Sequence, residues 1–314
     1  MWILIFCLIN TDTMTQSSMV SVKIKRGESL AQITSKLYSA NIIKHPFWFK
    51  VRAKITGNEN KIKAGYYVFN KSTSIRKVLW TLISGKSVEV RVMIPEGATI
   101  KEIVDLLAGE CDIDTERFKQ LVYDTIYVRK LGIESPSLEG YLFPETYLIP
   151  YADMPEEIIP RMVRQFFSVF TPEMKERAKK VGLKNMEEAV ILASIIEKEA
   201  VCEKEKPIIS GVYHKRLKSK LFLQCDATIQ YILPNRKPNL TYSDLKIQSP
   251  YNTYLHRGLP PTPIASPGKS SIIAALWPEK TDYLYFVARG NGTHIFSKTL
   301  AQHNIEKSRV KNQK

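Results

Sequence analysis

The stretch Gly258 to Gly268 reads GLPPTPIASPG, with four prolines and two glycines in eleven residues. Proline lacks the N–H that helices and ladders need and biases the residue before it to extended backbone, so neither a helix nor a central strand can run through it. A rigid, hydrogen-bond-poor loop is therefore required in the last fifth of the chain, and loops of this kind often line sites. The 314 residues suit two domains. At 44% hydrophobic and 25% charged residues the composition is globular, excluding collagen-like, disordered and polytopic membrane classes.

Charge is distributed unevenly. The whole chain carries +15, and between Val20 and Arg91 fifteen Lys and Arg face only Glu28, Glu59 and Glu89, a local +12. Such a balance favours polyanionic partners. Within this segment an alternating strand at Ser21 to Ile24 precedes a helix capped by Ser29, a second helix spans Pro46 to Ile55, and a strand at Lys63 to Phe69 leads to a helix from Ser74 that stops at Gly85. Strand, helix, helix, strand is the order of a LysM module, a small glycan-binding fold, and also of generic α+β packing units. The N-terminal run Met1 to Ile9 is nine apolar residues. That is too short for the roughly 20 a spanning helix needs, and neither a preceding basic residue nor a following cleavage site makes it a signal peptide. It reads as an untethered apolar tail, the remnant of a longer anchor, or a working anchor. Cys7, Cys111, Cys202 and Cys225 are too scattered for a disulfide scaffold or a structural zinc site.

Further on, Val88 to Ile94 alternates as a strand, Thr99 to Leu107 and Cys111 to Leu131 read as helical, and Tyr283 to Ala288 as a strand before the Gly290 to Gly292 turn and a terminal helix. The segment MEEAVILASIIEKEAV, Met186 to Val201, is a helix in which Glu199 continues the apolar stripe of Leu192, Ile195 and Ile196. Glu197 lies about 160° away and is expected to meet water. A carboxyl against apolar side chains has its charged form disfavoured, which raises its pKa towards that of a general acid. The alternative is a helix that ends near Lys198 and leaves Glu199 to pair with a lysine. In LEGYLFPETY, Leu138 to Tyr147, Glu139 and Glu145 sit among Tyr141, Phe143 and Tyr147, a set that suits a pyranose ring or an ordinary turn plugging a core. Gln224, Asp226, Asn252 and Tyr254 add polar groups beside aromatic or proline-rich turns, and His294 and His303 are candidate bases or structural histidines.

The ordered blocks EGYLFPETY (139–147), ASIIEKE (193–199), VYHKRL (212–217), LQCDATIQY (223–231), YNTY (251–254), GLPPTPIASPG (258–268), YLYFVARGNGTHIF (283–296) and HN (303–304) resemble the endolytic murein transglycosylases of the YceG-like (MltG) family. The resemblance implies an α+β protein: a small LysM-like domain at 20–91, then a mixed α/β catalytic domain at 92–314, behind one N-terminal membrane helix represented here by residues 1–19. It implies a lyase that cuts the β-1,4 bond between N-acetylmuramic acid and N-acetylglucosamine within nascent strands, leaving 1,6-anhydro ends and terminating glycan elongation. The catalytic glutamate carries over to Glu199, with Glu139, Tyr141, Glu145, Gln224, Asp226, Asn252, Tyr254 and His294 as substrate contacts. No metal or organic cofactor is implied, and the expected partners are peptidoglycan glycan strands, an anionic membrane surface and cell-wall synthases, not nucleic acid. The implied location is the bacterial inner membrane, with the catalytic domain facing the periplasm or cell wall. Cys225 and Ala227 depart from that family's usual hydroxyl residue and proline.

Two rival functions follow from other features. The +12 segment alone suits a basic module binding glycan or nucleic acid, which differ in salt dependence. An older label of the same family, aminodeoxychorismate lyase, would place pyridoxal phosphate on a lysine such as Lys198, but no Gly-rich phosphate cup accompanies it in sequence.

Overall fold

A computed structural model describes residues 19–71 and 73–312, so the apolar run Met1 to Ile9 lies outside the described residues. The chain divides into two compact units. The first holds the residues up to Arg91 together with Glu110–Ile113 and Leu148–Asp153; the second holds Val92–Gly109, Asp114–Tyr147 and Met154–Lys314. The chain first leaves unit one after Arg91, and two later segments return to it.

In the first unit β1 (Met19–Ile24), α1 (Leu30–Ser39), α2 (Pro46–Ile55), β2 (Gly65–Asn70) and α3 (Ile75–Ser84) follow in order. β1 and β2 pair antiparallel, from Met19 opposite Asn70 to Ile24 opposite Gly65. Ser29 and Gln32 form a reciprocal capping box that starts α1, and Gly85, at φ 70°, terminates α3 in the left-handed conformation that glycine adopts without strain. Val22 and Ile24 from the inward face of β1 bury against Ile33, Leu37, Phe49, Tyr67, Val78 and Leu82. The basic residues are left outside this core. Arg26 donates to the carbonyls of Ala152 and Asp153, both at 2.9 Å, and the Lys23 ammonium lies 4.4 Å from the Tyr151 ring centroid, which ties the returning segment to this unit.

β3 (Glu89–Met93) pairs with β4 (Thr146–Pro150). Between them lie α4 (Ile100–Cys111), α5 (Thr115–Tyr123) and α6 (Thr125–Lys130). The helical reading of 111–131 is interrupted at Asp124, whose carboxylate accepts from the N–H groups of Ile126 at 2.8 Å and Tyr127 at 3.3 Å and so restarts the helix as α6. The second unit continues through α7 (Pro155–Val169), α8 (Pro172–Lys180), α9 (Met186–Glu199), α10 (Lys206–Lys218), α11 (Asp226–Ile232) and α12 (Lys269–Leu276). It closes with the hairpin of β5 (Tyr285–Ala288) and β6 (His294–Ser297), then α13 (Leu300–Asn312).

α9 is the axis of this unit. Asn185 caps it by accepting from Glu188 N–H at 2.9 Å, and Ala189 to Ile196 are buried without interruption. A helix apolar all round belongs inside a domain, and α8, α10, α11 and α12 surround it. The small Ser271, Ala274 and Ala275 of α12 are buried at its side. The 258–268 loop has no regular structure and runs along α9. Ile264 N–H donates to Ser194 Oγ at 3.0 Å, and Ser266 exchanges backbone hydrogen bonds with Gly97 and Ala98 at 2.8 Å. Gly268 N–H donates to Glu197 Oε2 at 2.9 Å. Among the described residues no helix is long and apolar enough to cross a membrane.

The expectation that Glu197 meets water fails. Its side chain is only 9% exposed, held by Gly268 and by Lys206 Nζ at 3.5 Å, because loop 258–268 and α10 cover the face that a lone helix would present to solvent.

Candidate functional site

Three elements meet at the C-terminal end of α9. Glu199 is its last residue, since Ala200 turns to extended backbone. Cys225 is the residue before α11 and Tyr213 lies within α10. The Cys225 thiol donates to Glu199 Oε1 at 2.8 Å. Cys225 is itself fixed: its N–H donates to Thr253 Oγ1 at 3.0 Å, its carbonyl accepts from Thr228 Oγ1 at 2.8 Å, and Gln224 N–H donates to the Thr253 carbonyl at 3.1 Å.

Glu199 keeps some accessible surface while its carboxyl is closely surrounded by protein. Burial raises its pKa above the ordinary value and the Asp226 charge adds to the rise, whereas the Cys225 thiol, His294 and the Tyr213 hydroxyl oppose it. The thiol of Cys225 and the hydroxyl of Tyr213 are pushed far upward by burial, so both remain protonated donors. Cys225 is therefore a hydrogen-bond donor here and not a thiolate nucleophile.

Asp226 accepts a short hydrogen bond from Tyr254 Oη. It adjoins Cys225 in the chain and is the second carboxylate of this cluster. His294 donates its N–H to Glu205, and its Nδ1 lies 2.7 Å from Glu205 Oε2, so Glu205 orients the ring. Gln224 sits in left-handed backbone, at φ 52°, and its Oε1 accepts from Arg216 Nη2 at 2.5 Å. Arg216 also donates to the carbonyls of Phe222 at 2.9 Å and Leu284 at 3.1 Å. Glu205 was not singled out from sequence, and Tyr213, Arg216 and Thr253 entered it only as members of the blocks 212–217 and 251–254. Their signal is partnership across sequence separations, which periodicity does not carry.

The other expected contacts lie elsewhere. Tyr141 is fully buried, its ring edge-on to Phe166 at 5.2 Å, and leaves no surface for a sugar. Asn252 is fully buried too; its amide donates to Leu245 and Ile247 carbonyls at 3.0 and 2.8 Å, and its Oδ1 accepts from Tyr254 N–H, so it holds a turn. Glu145 is exposed and folds back onto Thr146 N–H at 2.9 Å. The block 138–144 is the core plug of the two readings. Gly140 has φ 86°, and a Cβ there would come 2.5 Å from Pro263.

Glu139 is buried at the start of α4, accepting from Ile100 N–H at 3.1 Å and from Tyr231 Oη at 3.2 Å. Burial, opposed by those two bonds, raises its pKa from 4.5 to about 7. Between these values the folded chain holds a proton that the unfolded chain has released, so this group's contribution to stability is complete below 4.5 and is lost as pH rises through about 7. Glu139→Gln is expected to flatten the fall in melting temperature between pH 5 and pH 8. An unchanged slope in thermal denaturation would refute that contribution.

Lys198 donates to the Gly97 carbonyl at 2.8 Å and is thereby committed to structure. Among the described residues no group of three His, Cys, Asp or Glu side chains is placed to hold a metal ion.

The YceG-like family profile matches residues 22–309, nearly the whole chain. The chain belongs to the YceG-like family. Among its relatives, the endolytic murein transglycosylase of Bacillus subtilis is 35% identical over 92% of this chain and 84% of that protein. The endolytic murein transglycosylase of Streptococcus pneumoniae strain D39 is 31% identical over 86% of this chain, but the match spans 54% of that longer protein. A crystal structure of a yceG-like protein from Listeria monocytogenes superposes with a TM-score of 0.63 at 32% identity, covering 91% of this chain and 98% of the other. This YceG-like chain shares with that structure a mixed α/β architecture with small antiparallel sheets.

Proposed function

We propose that this YceG-like chain is a peptidoglycan lytic transglycosylase that cleaves the β-1,4 bond between N-acetylmuramic acid and N-acetylglucosamine within glycan strands. The observation that carries the chemistry is the Glu199 carboxyl, enclosed, raised in pKa and held by a protonated thiol. The relatives named endolytic murein transglycosylases support the substrate class. Protonated Glu199 gives its proton to the leaving glycosidic oxygen. The resulting carboxylate then takes the proton of the muramic acid C6 hydroxyl as that oxygen closes on C1, leaving a 1,6-anhydro end and regenerating the acid. Asp226 and Tyr254 are suited to orient the sugar or to steady the developing positive charge at C1, while Gln224 and His294 shape the same region.

The test is digestion of purified strands in ¹⁸O-labelled water. Unlabelled 1,6-anhydromuramic ends cut within chains are the expected products by mass spectrometry. Labelled reducing ends would make water the nucleophile and Asp226 its base, the second carboxylate that a hydrolase requires.

We read residues 20–91 as a LysM-like module that binds glycan, on its strand, helix, helix, strand order and its antiparallel β1–β2 pair. Its +12 charge, together with the exposed Phe47 and Trp48 of α2, also suits contact with an anionic membrane surface. Each Lys or Arg near such a surface contributes about 1 kcal/mol. Full-length protein is expected to co-sediment with anionic liposomes in a salt-sensitive manner. Equal binding to neutral vesicles would remove the electrostatic basis. The inner-membrane location and synthase partners belong to the same reading.

A further inference from the structure

A cavity of about 780 Å³ opens at the other end of α9, lined by residues that include Arg129, Glu134, Ser135, Glu187 and Pro261. None of these belongs to the Glu199 cluster. Its chemistry is of mixed sign. Arg129 is exposed and, among the described residues, makes no ion pair. Glu187 is half-buried, and burial raises its carboxyl pKa, with the neighbouring Glu134 and Glu188 charges adding to the rise. Ser135 is 8% exposed and its Oγ has no partner at ordinary hydrogen-bonding geometry, although it lies near enough to Glu187 to oppose that rise. Even with the Glu187 carboxyl as its acceptor, a buried hydroxyl keeps lone pairs free for a ligand's donor. The half-buried Glu187 carboxyl with Glu134 near it calls for a cation, and the Arg129 guanidinium on the same cavity wall calls for a carboxylate.

The cavity is joined to the Glu199 end by the proline-rich loop. Pro261 lines the cavity, Ile264 is bonded to Ser194 midway along α9, and Gly268 is bonded to Glu197. Glu187 and Glu199 are twelve residues apart on one helix, about 18 Å at 1.5 Å per residue. An extended peptide of about five residues covers that distance.

We infer that this cavity binds the peptide stem borne by the glycan next to the scissile bond, with Arg129 taking the terminal carboxylate and Glu134 and Glu187 taking the ammonium of a diamino-acid residue. Ser135 supplies a hydrogen bond to the same peptide. The inference rests on the transglycosylase reading and adds to it the feature of the strand that the enzyme selects.

The test compares the full chain on two preparations of the same strands, one carrying its peptide stems and one stripped by an amidase. Wild-type protein is expected to favour stem-bearing strands by about 10- to 100-fold in kcat/KM, the range of a lost charge-assisted contact. Arg129→Ala, Arg129→Glu and Glu187→Gln are expected to compress that ratio towards one, through KM on the stem-bearing strands. Arg129 is a surface residue, so its variants keep the reading independent of folding. In a second arm, a synthetic pentapeptide with one ammonium side chain and a free C-terminal carboxylate is titrated calorimetrically into Glu199→Gln protein. Binding there, abolished by adding Arg129→Glu, is the expected result. A wild-type ratio near one, a ratio untouched by the Arg129 variants, or peptide binding indifferent to Arg129→Glu would each overturn the assignment. If neither strand preparation yields anhydro ends, the transglycosylase reading fails, and the titration still decides the cavity.

Discussion

Glu199→Gln is expected to reduce release of anhydro-ended fragments by about 10² to 10⁴, the contribution of a well-placed general acid, with folding intact. Glutamine has the same shape and still accepts from the Cys225 thiol, so the arrangement of α9 and α11 survives. It lacks only the proton that the leaving oxygen must receive. Stability should hold or rise slightly, since a neutral amide avoids the desolvation that raises the carboxyl pKa. The same shift fixes the sign of the pH dependence. A raised pKa keeps Glu199 protonated to higher pH than an ordinary carboxyl, so the wild-type rate falls on a limb displaced upward. Glu197→Gln serves as the comparison: it should lose stability more than chemistry, because Glu197 engages Lys206 and Gly268. If Glu199→Gln keeps its rate while a fully folded Glu197→Gln is inactive, the assignment is reversed.

Lys206→Ala is expected to give the largest loss of stability. The ammonium is 2% exposed, donates to Ser270 Oγ at 2.8 Å, pairs with Glu197 at 3.5 Å and forms a shorter contact with Glu203. Glu96 lies in the same cluster; burial and Glu197 raise its pKa, and Lys206 opposes the rise. Removing one partner of a buried pair leaves an uncompensated charge, at a cost of about 3 to 5 kcal/mol. For a unit of this size that lowers the melting temperature by on the order of 10 °C. The loss should shrink as pH falls and the orphaned carboxylates take up protons, and adding Glu197→Gln to Lys206→Ala should recover part of it. A melting temperature within a degree of wild type at neutral pH would show that the cluster stabilises nothing.

Much of this architecture is written locally in the chain. Ser29 with Gln32, Gly85 at the end of α3, Pro46 at the start of α2 and the 258–268 prolines act over a few residues, so the elements they begin, end or forbid were legible. The concentration of basic charge in the first unit is a property of composition and needed no coordinates. The ordered motif blocks likewise pointed to the family and singled out Glu199, because residue identity and spacing survive without a structure.

What surrounds α9 was decided only by tertiary packing. An isolated helix has one buried face, and that premise put Glu197 in water, while composition alone left the 138–147 block open between a sugar contact and a core plug. With helices on several sides and a proline-rich loop along it, α9 buries Ala189 to Ile196 and turns Glu197 into a partner of Lys206. The block 138–144 becomes core. The groups that touch or tune Glu199, namely Cys225, Tyr213, Asp226 and His294, come from segments separated by 14 to 95 residues from it. Side chains so far apart are joined by packing, whereas periodicity reports only which face of its own element a residue occupies.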